Sequence, residues 1–156
     1  MIYLVEGPDG AGKTTLVNKL AAAHSGSFIQ HFGAPATINE AANYWRVYLK
    51  AIVDARKRAV TIFDRCWYSD YIYGPIMRNH EDIQPEIISM LNATVYASGG
   101  GCIIYCTAPI KTLWARCQKR GETYITSRDK LLELSVCYAK VFNEPIEFLP
   151  VITYNT

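Results

Sequence analysis

Four residues near the start of the chain, Gly7, Gly12, Lys13 and Thr14, match the spacing G-x-x-x-x-G-K-[ST] between an apolar run and a helical pattern. Glycines let backbone amides turn towards an anion, and the start of a helix adds free amides and a positive dipole end. At this spacing the lysine reaches the β- and γ-phosphates of a nucleoside triphosphate, and the threonine hydroxyl holds Mg²⁺. A simple glycine turn is the alternative, but the complete motif favours a phosphate loop (residues 7–14). The residues predicted to bind phosphate are Gly7, Gly10, Ala11, Gly12, Lys13, Thr14 and Thr15.

A second charged motif, Asp64-Arg65, directly follows the apolar run at residues 60–63. The carboxyl ends of buried strands form the edge at which open α/β sheets bind ligands. We therefore expect Asp64 to hold Mg²⁺ together with Thr14, and Arg65 suits a bidentate contact with phosphate. A surface ion pair between neighbours is the alternative.

Apolar segments with strand and helix periodicity alternate along the chain and must position these residues. The predicted strands are residues 2–6, 27–31, 60–64, 102–106 and 151–154, and the predicted helices are 13–24, 38–58, 69–78, 85–97, 110–120 and 126–142. Strands separated by helices predict an α/β fold with a five-stranded parallel sheet and helices on both faces. The length of 156 residues predicts a single domain, residues 1–156.

Composition excludes several classes of protein. The formal net charge of +2 gives no strong field, which argues against a dedicated nucleic-acid binder. No apolar run approaches about 18 residues, so we expect neither a membrane span nor a signal peptide. The five cysteines form no C-x-x-C pair and stand near no histidine cluster, which argues against disulfides and a zinc site. We therefore expect a cytoplasmic protein with reduced cysteines.

A triphosphate site does not by itself define a reaction. Switch GTPases need a D-x-x-G motif at the end of the strand that here ends in Asp64, but Asp64 begins "DRCW" instead. They also need an N-K-x-D motif, but the "NK" at Asn18 lies in the first predicted helix. The chain is also short for a mechanical ATPase. A small-molecule kinase remains, which needs an acceptor pocket and cations over the transferred phosphoryl group.

The segment "EGPDGAGKTT" resembles the phosphate loop of thymidylate kinases, including the acidic residue inside the loop, Asp9. The segment "DRCWYSDYIY" is similar to their DR motif, with Ser69 and Tyr73 at the expected spacing. The likeness covers nearly the whole chain. It implies a five-stranded P-loop fold and Mg²⁺-dependent phosphoryl transfer from ATP to a deoxynucleoside monophosphate, either dTMP or a related, modified pyrimidine nucleotide.

The resemblance also implies roles for individual residues. Asp9 would contact the acceptor's sugar or phosphate region, and Arg65 would bind its 5′-phosphate. Tyr73, with Ser69 beside it, would line the pocket for the base and sugar.

The stretch "NYWRVY" on the predicted long helix adds two acceptor residues. An aromatic side chain such as Tyr44 could stack on a base, and Arg46 resembles the arginine that reads the base edge in the family. Core packing at helical spacing is the alternative for the aromatic residues.

A short arginine-containing lid is predicted at residues 116–128. Arg116 and Arg120 stand four residues apart on one helical face, with Lys119 beside them and Arg128 beyond a loop. Kinases of this class close such arginines over the donor and the moving phosphoryl group, so both Arg116 and Arg120 are predicted catalytic residues with Lys13, Asp9 and Arg65. A solvated helix face is the alternative.

The sequence departs from thymidylate kinases on the acceptor side. "QHFGAP" stands where the family has an acidic-proline stretch after the second strand, and Gly74 stands where it has glutamine. The departures leave the identity of the base open without affecting phosphoryl transfer. His31, in the first of these segments, is a further predicted acceptor residue.

Two other kinase types remain as alternatives. A deoxynucleoside kinase needs a general base for its hydroxyl acceptor, whereas a monophosphate is already an oxyanion near pH 7. No carboxylate occurs between residues 27 and 39, which favours a monophosphate, although His31 could serve as the base. A kinase acting on a modified base in DNA would need a basic track that is missing here. We expect nucleotides as partners, neither nucleic acid nor membrane, and a homodimer is left open.

Overall fold

Five parallel strands form one sheet in the computed structural model, which describes residues 1–80 and 82–156. The strands are β1 (Ile2–Glu6), β2 (Phe28–His31), β3 (Thr61–Asp64), β4 (Gly101–Thr107) and β5 (Val151–Asn155). Their order across the sheet is β2-β3-β1-β4-β5. The predicted α/β fold with a five-stranded parallel sheet is confirmed.

The helices connect these strands. They are α1 (Lys13–Ala23), α2 (Ile38–Ala41), α3 (Trp45–Ala55), α4 (Trp67–Tyr73), α5 (Pro85–Ala97), α6 (Ile110–Arg120) and α7 (Arg128–Asn143), and a π-helical turn (Gly74–Arg78) continues α4. Among the described residues, no helix has both the length and the apolar character needed to cross a membrane.

The helix predicted at residues 38–58 is two helices in the structure, so this prediction was wrong. The Thr37 side chain caps α2 by accepting from the Glu40 amide. The chain then tightens, because the amides of Asn43 and Tyr44 donate to carbonyls three residues back instead of four. This tight turn ends α2 and gives α3 a new starting orientation at Trp45.

The helix predicted at residues 69–78 begins two residues earlier, at Trp67, and changes character at its end. Pro75 lacks the amide that a continuing α-helix requires. The chain widens there into the π-helical turn, and the Asn79 amide donates back to the Gly74 carbonyl. This widened turn carries Arg78 to the site described below.

The three central strands are built from continuous apolar runs, as strands covered on both faces are. Leu4, Val5, Ile62, Phe63 and Ile103 are completely buried. The pairing aligns Val5 of β1 with Asp64 of β3, and Asp64 with His31 of β2. The carboxyl ends of the three strands therefore meet at one edge, where the phosphate loop begins.

Candidate functional site

The phosphate loop follows β1 and packs so closely against neighbouring backbone that two of its positions have no room for a side chain. A Cβ atom on Gly7 would lie 2.2 Å from the carbonyl oxygen of Cys106, and one on Gly10 would lie 2.6 Å from that of Leu113. Both glycines also have positive φ, 143° and 81°. The loop can therefore lie against β4 and α6 only with glycine at these positions. It leads into α1, whose first turn has no side-chain cap, so its amides remain available to an anion.

Lys13 is buried beneath the loop, and its Nζ donates to the carbonyl oxygens of Gly7 at 2.7 Å and Pro8 at 2.8 Å. Burial and, after it, the positive charge of Arg65 lower the pKa of Lys13 to about 8, against the opposing effects of Asp9 and Glu6. The ammonium group is thus poorly compensated by the protein alone. A phosphate group would supply the missing negative charge.

Asp9, Arg65, Ser69 and Tyr73 form one connected group beside the loop. Arg65 Nη2 donates to Asp9 Oδ1 at 2.5 Å, Arg65 Nη1 donates to Ser69 Oγ at 3.3 Å, and the Tyr73 hydroxyl donates to Asp9 Oδ2 at 2.8 Å. Burial alone would raise the pKa of Asp9, but Arg65, Lys13 and the Tyr73 hydrogen bond hold it below its usual value. Four of the predicted acceptor residues therefore lie together around one guanidinium group.

Two cavities adjoin at this group. The loop cavity, of about 230 Å³, is lined by residues 9–15 of the phosphate loop and α1 together with His31, Asp64, Arg65, Arg120 and Glu122. The aromatic cavity, of about 320 Å³, is lined by the four residues above and by His31, Phe32, Tyr48, Asp70, Arg78, Glu122 and Tyr124. Arg65 lines both cavities, so a ligand in either one can reach its guanidinium group.

Thr14 and Asp64, the predicted metal-binding residues, both line the loop cavity. The described residues contain no cluster of three or more histidine, cysteine, aspartate or glutamate side chains that could hold a metal ion. Mg²⁺ needs no such cluster, because it keeps several waters and binds one or two protein oxygens plus phosphate oxygens. A hydroxyl and a carboxylate on one cavity wall fit that requirement.

His31 lies at the end of β2, and its Nδ1 is 3.1 Å from Asp64 Oδ2. Its side chain is 64% exposed. His31 lines both cavities, as the sequence prediction for the acceptor side requires. Its carboxylate partner can fix the orientation of the ring.

Tyr44 and Arg46 were predicted to contact the acceptor base, but neither lines the aromatic cavity. Tyr44 packs edge-on against Tyr48 with 5.3 Å between ring centroids, and the exposed Arg46 lies over the Trp45 ring. Tyr48, one helical turn beyond Tyr44 on α3, lines the cavity instead.

One wall of the aromatic cavity carries a charged cluster that the sequence patterns did not reveal. The buried Tyr48 hydroxyl donates to Asp70 Oδ2 at 2.5 Å, and Arg78 Nη2 lies 3.5 Å from Asp70 Oδ1 and pairs with Asp82. Burial raises the pKa of Asp70 from 3.8 to about 7, helped by Asp82 and Glu6 and opposed by Tyr48 and Arg78. The only sequence signal was an aspartate next to Ser69 in the DR segment, since the spacing to Arg78 depends on the π-helical turn.

The two arginines predicted to act in the lid lie in different surroundings. Arg116 Nη1 donates to the Gly10 carbonyl at 3.1 Å and to Thr156 Oγ1 at 2.8 Å, so it is held against the back of the loop. Arg120 is exposed and lines the loop cavity as well as a basic cavity of about 480 Å³ that also contains Lys19 and Lys119. Both arginines line the basic cavity, but of the two Arg120 alone lines the loop cavity as well.

The segment that follows Arg120 turns towards the aromatic cavity. The Tyr124 hydroxyl accepts from Arg78 Nη1 at 3.2 Å, and the Tyr124 ring lies 6.2 Å from that of Tyr73. Arg128, the last residue of the predicted lid, begins α7 and lines none of the three cavities. The predicted lid segment thus borders the aromatic cavity as well as the loop cavity.

Comparison with solved structures finds several chains that share this architecture. The YorR protein of Bacillus subtilis, solved with phosphorylated GDP, matches with a TM-score of 0.76 at 17% identity, covering 99% of this chain and 85% of that one. Deoxyadenosine kinase from M. mycoides, solved with dCMP and dCDP, matches with a TM-score of 0.66 at 15% identity, covering 99% and 90%. The same kinase with dATP gives a TM-score of 0.64 at 16% identity, covering 99% and 91%. At these identities the likeness shows the fold.

No curated protein matches the sequence significantly. The specific resemblance to thymidylate kinases is not confirmed by the comparisons, which support a broader group of P-loop kinases. The sequence profile of polyphosphate kinase 2 (PPK2) matches residues 1–88, which is more than half of the chain and includes both the phosphate loop and the DR segment. The chain therefore belongs to the polyphosphate kinase 2 family of P-loop kinases.

Proposed function

We propose that this protein, acting as one domain over residues 1–156, transfers the terminal phosphoryl group of ATP to a deoxynucleoside monophosphate. The observation that carries the proposal is the position of Arg65 at the junction of the loop cavity and the aromatic cavity. A kinase for a monophosphate must bind two anionic groups close together, one on the donor and one on the acceptor. A planar guanidinium group between the two cavities suits the acceptor's phosphate.

Each residue of the site has a separate role in the proposed reaction. Lys13 and the free amides of the loop bind the β- and γ-phosphates, and Arg120 neutralises charge on the transferred group. Mg²⁺, held by Thr14 and Asp64, would supply further charge neutralisation on the donor. The acceptor's phosphate oxygen attacks as an anion, so no general base is required.

The charged wall of the aromatic cavity is consistent with a pyrimidine that carries carbonyl oxygens. Arg78 and Asp70 both line this cavity. The guanidinium group of Arg78 could donate to a carbonyl such as the O4 of thymine, and Asp70 could accept from the ring N–H. We therefore propose dTMP or a related pyrimidine nucleotide as the acceptor.

A deoxynucleoside acceptor is the second candidate, and the His31–Asp64 contact is the observation that favours it. A hydroxyl acceptor must lose a proton, and an exposed imidazole fixed by a carboxylate at 3.1 Å can accept one. The family name adds polyphosphate as a second candidate donor.

A panel of acceptors and donors tests these alternatives. Deoxynucleoside monophosphates and deoxynucleosides are each incubated with Mg²⁺ and either ATP or polyphosphate, and products are separated by ion-exchange chromatography. Formation of dTDP from dTMP and ATP is the expected result, with His31→Ala retaining most of this activity. Phosphorylation of nucleosides alone, lost in His31→Ala, would replace the proposal with the second candidate. Turnover only with polyphosphate would replace ATP as the donor.

Replacing Arg120 by alanine and replacing Arg116 by alanine are expected to have different effects on kcat and Tm. Arg120→Ala should lower kcat by about 100-fold with little change in Tm, because its side chain is exposed and lines the loop cavity. Arg116→Ala should lower Tm more and kcat less, because it removes the hydrogen bonds to the Gly10 carbonyl and to Thr156 Oγ1. Steady-state kinetics and thermal unfolding of both variants decide this, and equal effects on kcat would contradict it.

The raised pKa of Asp70 predicts a specific pH dependence of stability. Asp70 stays protonated in the folded protein up to about pH 7 but ionises near its usual value of 3.8 when the chain unfolds. The folded state therefore holds the extra proton, and its stability falls as pH rises from about 5 to 7, by at most about 1.4 kcal/mol per pH unit. Urea unfolding across this range should show the fall in the wild type but not in Asp70→Asn.

The control for this experiment addresses the contact next to Asp70 in the same cluster. His80 Nδ1 lies 2.6 Å from Asp82 Oδ1. The groups that face Asp70 from the elements packed around it are Tyr44, Tyr48, Arg78, Asp82 and Glu6. Repeating the comparison in a His80→Gln background should preserve the difference between wild type and Asp70→Asn. Loss of the difference there would contradict the assignment of the pH dependence to Asp70.

A further inference from the structure

Glu6, the last residue of β1, is completely buried immediately before the phosphate loop. A buried carboxylate is costly unless hydrogen bonds and nearby charges compensate it. The proposed phosphoryl transfer does not use this side chain directly. The free-energy cost of burying the Glu6 carboxylate must therefore be balanced by a different role of this residue.

The Glu6 carboxylate accepts hydrogen bonds from three segments of the chain. Oε1 accepts from the amides of Cys66 at 2.7 Å and Ser69 at 3.2 Å. Oε2 accepts from Ser69 Oγ at 2.8 Å, the Tyr138 hydroxyl at 3.1 Å and the Gly7 amide at 3.3 Å. One side chain thus holds the first residue of the phosphate loop, the start of α4 and the middle of α7.

The start of α4 depends on this carboxylate. The N-cap residue Cys66 makes no side-chain cap hydrogen bond to its own helix. Glu6 takes that role from a neighbouring strand, and a negative charge at a helix N-terminus is favourable. The amides of Cys66 and Ser69 are both satisfied, and the Ser69 amide also donates to the Cys66 carbonyl at 3.0 Å.

Arg65 is positioned by the same contacts. It precedes Cys66 and has a φ of 70°, a left-handed conformation that is strained for a non-glycine residue. Its guanidinium group donates to Ser69 Oγ, which in turn donates to Glu6. A change at Glu6 therefore reaches Arg65 through Ser69 and through the adjoining backbone.

We propose that Glu6 is a positioning residue that fixes the distance between the phosphate loop and the acceptor-binding Arg65. This inference rests on the proposed function for its effect on the acceptor, since Arg65 is there the group that binds its phosphate. The carboxylate holds the Gly7 amide and the segment containing residues 66–69 at the same time. The distance between the donor site and the acceptor site is thereby held constant.

Glu6→Gln tests the proposal with almost no change in size. The amide group brings an NH₂ donor towards the donors of Gly7, Ser69 and Tyr138, so at least one contact must be lost. Asn92→Leu is the matched control. Asn92 is also buried and also holds α4, accepting from Trp67 Nε1 at 3.1 Å and donating to the Tyr68 hydroxyl at 2.9 Å, but it contacts neither the loop nor Arg65.

Hydrogen exchange is the first measurement, and it needs no substrate. In Glu6→Gln the amides of Gly7, Cys66 and Ser69 should exchange about ten-fold faster or more, a loss typical of one buried hydrogen bond. In Asn92→Leu the exchange rates of these three amides should stay within about two-fold of the wild-type rates. This should hold even if Asn92→Leu lowers Tm by as much as Glu6→Gln does. Unchanged exchange at the three amides in Glu6→Gln would overturn the proposal.

Calorimetric binding of dTMP is the second measurement. Glu6→Gln should weaken dTMP binding by about ten-fold in the wild-type background but should cause little further loss in Arg65→Ala, because the contact it supports is already gone. Equal losses in both backgrounds would assign Glu6 a purely structural role. If the wild-type protein itself does not bind dTMP, the proposed acceptor fails, while the exchange data still decide whether Glu6 holds the two segments.

Discussion

Replacement of Lys13 by alanine is expected to reduce turnover by about 100- to 1,000-fold while leaving the fold intact. The Nζ donates to two carbonyl oxygens of its own loop, and burial together with the charge of Arg65 lowers the pKa of this lysine to about 8. Its removal relieves a buried, poorly compensated charge, which offsets the loss of the two hydrogen bonds. In the reaction the same charge would stabilise the β- and γ-oxygens of the donor, and among the described residues no other lysine lines the loop cavity.

Steady-state kinetics with MgATP and thermal unfolding of Lys13→Ala measure the two effects. Lys19→Ala is a matched control, because Lys19 lies on the same helix but is exposed and lines only the basic cavity among the three cavities of the site. It should retain most of the turnover. Near-native activity in Lys13→Ala would show that the phosphate loop does not act as we propose.

Replacement of Arg65 by alanine should weaken acceptor binding by about 2–5 kcal/mol and ATP binding far less. The desolvated phosphate of the acceptor loses its charged partner, whereas Lys13, the loop amides and Mg²⁺ still hold the triphosphate. Isothermal titration of dTMP and of MgATP with both proteins measures each loss separately. The loss of the 2.5 Å contact to Asp9 will also raise the pKa of that carboxyl, because Arg65 is the main group that lowers it.

Arg65→Lys serves as the control for charge without the planar group. A lysine retains attraction for phosphate but makes no bidentate contact, so its dTMP affinity should lie between those of wild type and Arg65→Ala. Equal losses for dTMP and MgATP would mean that Arg65 serves the donor. If the affinity for neither nucleotide falls, Arg65 binds no phosphate and serves only as the ion-pair partner of Asp9.

The sequence was most informative where structure depends on local spacing. The bounds of β1 and α5 agree with the structure to the residue, and the glycines of the phosphate loop lie between a strand and a helix as the motif requires. Local patterns also placed Asp64 and Arg65 at a strand end. These features need only short-range periodicity and backbone chemistry.

The sequence was least informative where the site depends on packing between distant elements. Tyr48, Asp70 and Arg78 lie on three different elements, α3, α4 and the π-helical turn, and meet at one cavity. Glu6 looks like the polar end of a strand until its five hydrogen bonds are seen. The lid pattern at Arg116 did not indicate its hydrogen bond to the Gly10 carbonyl.

The position of β1 between β3 and β4 has a consequence for the order in which the chain matures during synthesis. Gly7 rests on the carbonyl of Cys106 in β4, and β1 pairs with β4 along its whole length. A nascent chain that has emerged only through β3 lacks the surface on which the loop is shaped. Closing contacts across so long a stretch of chain is slow, and the exposed side of β1 is meanwhile open to wrong pairing. Competence to bind a nucleotide is therefore acquired late on the ribosome, although the residues that bind it are among the first to be made.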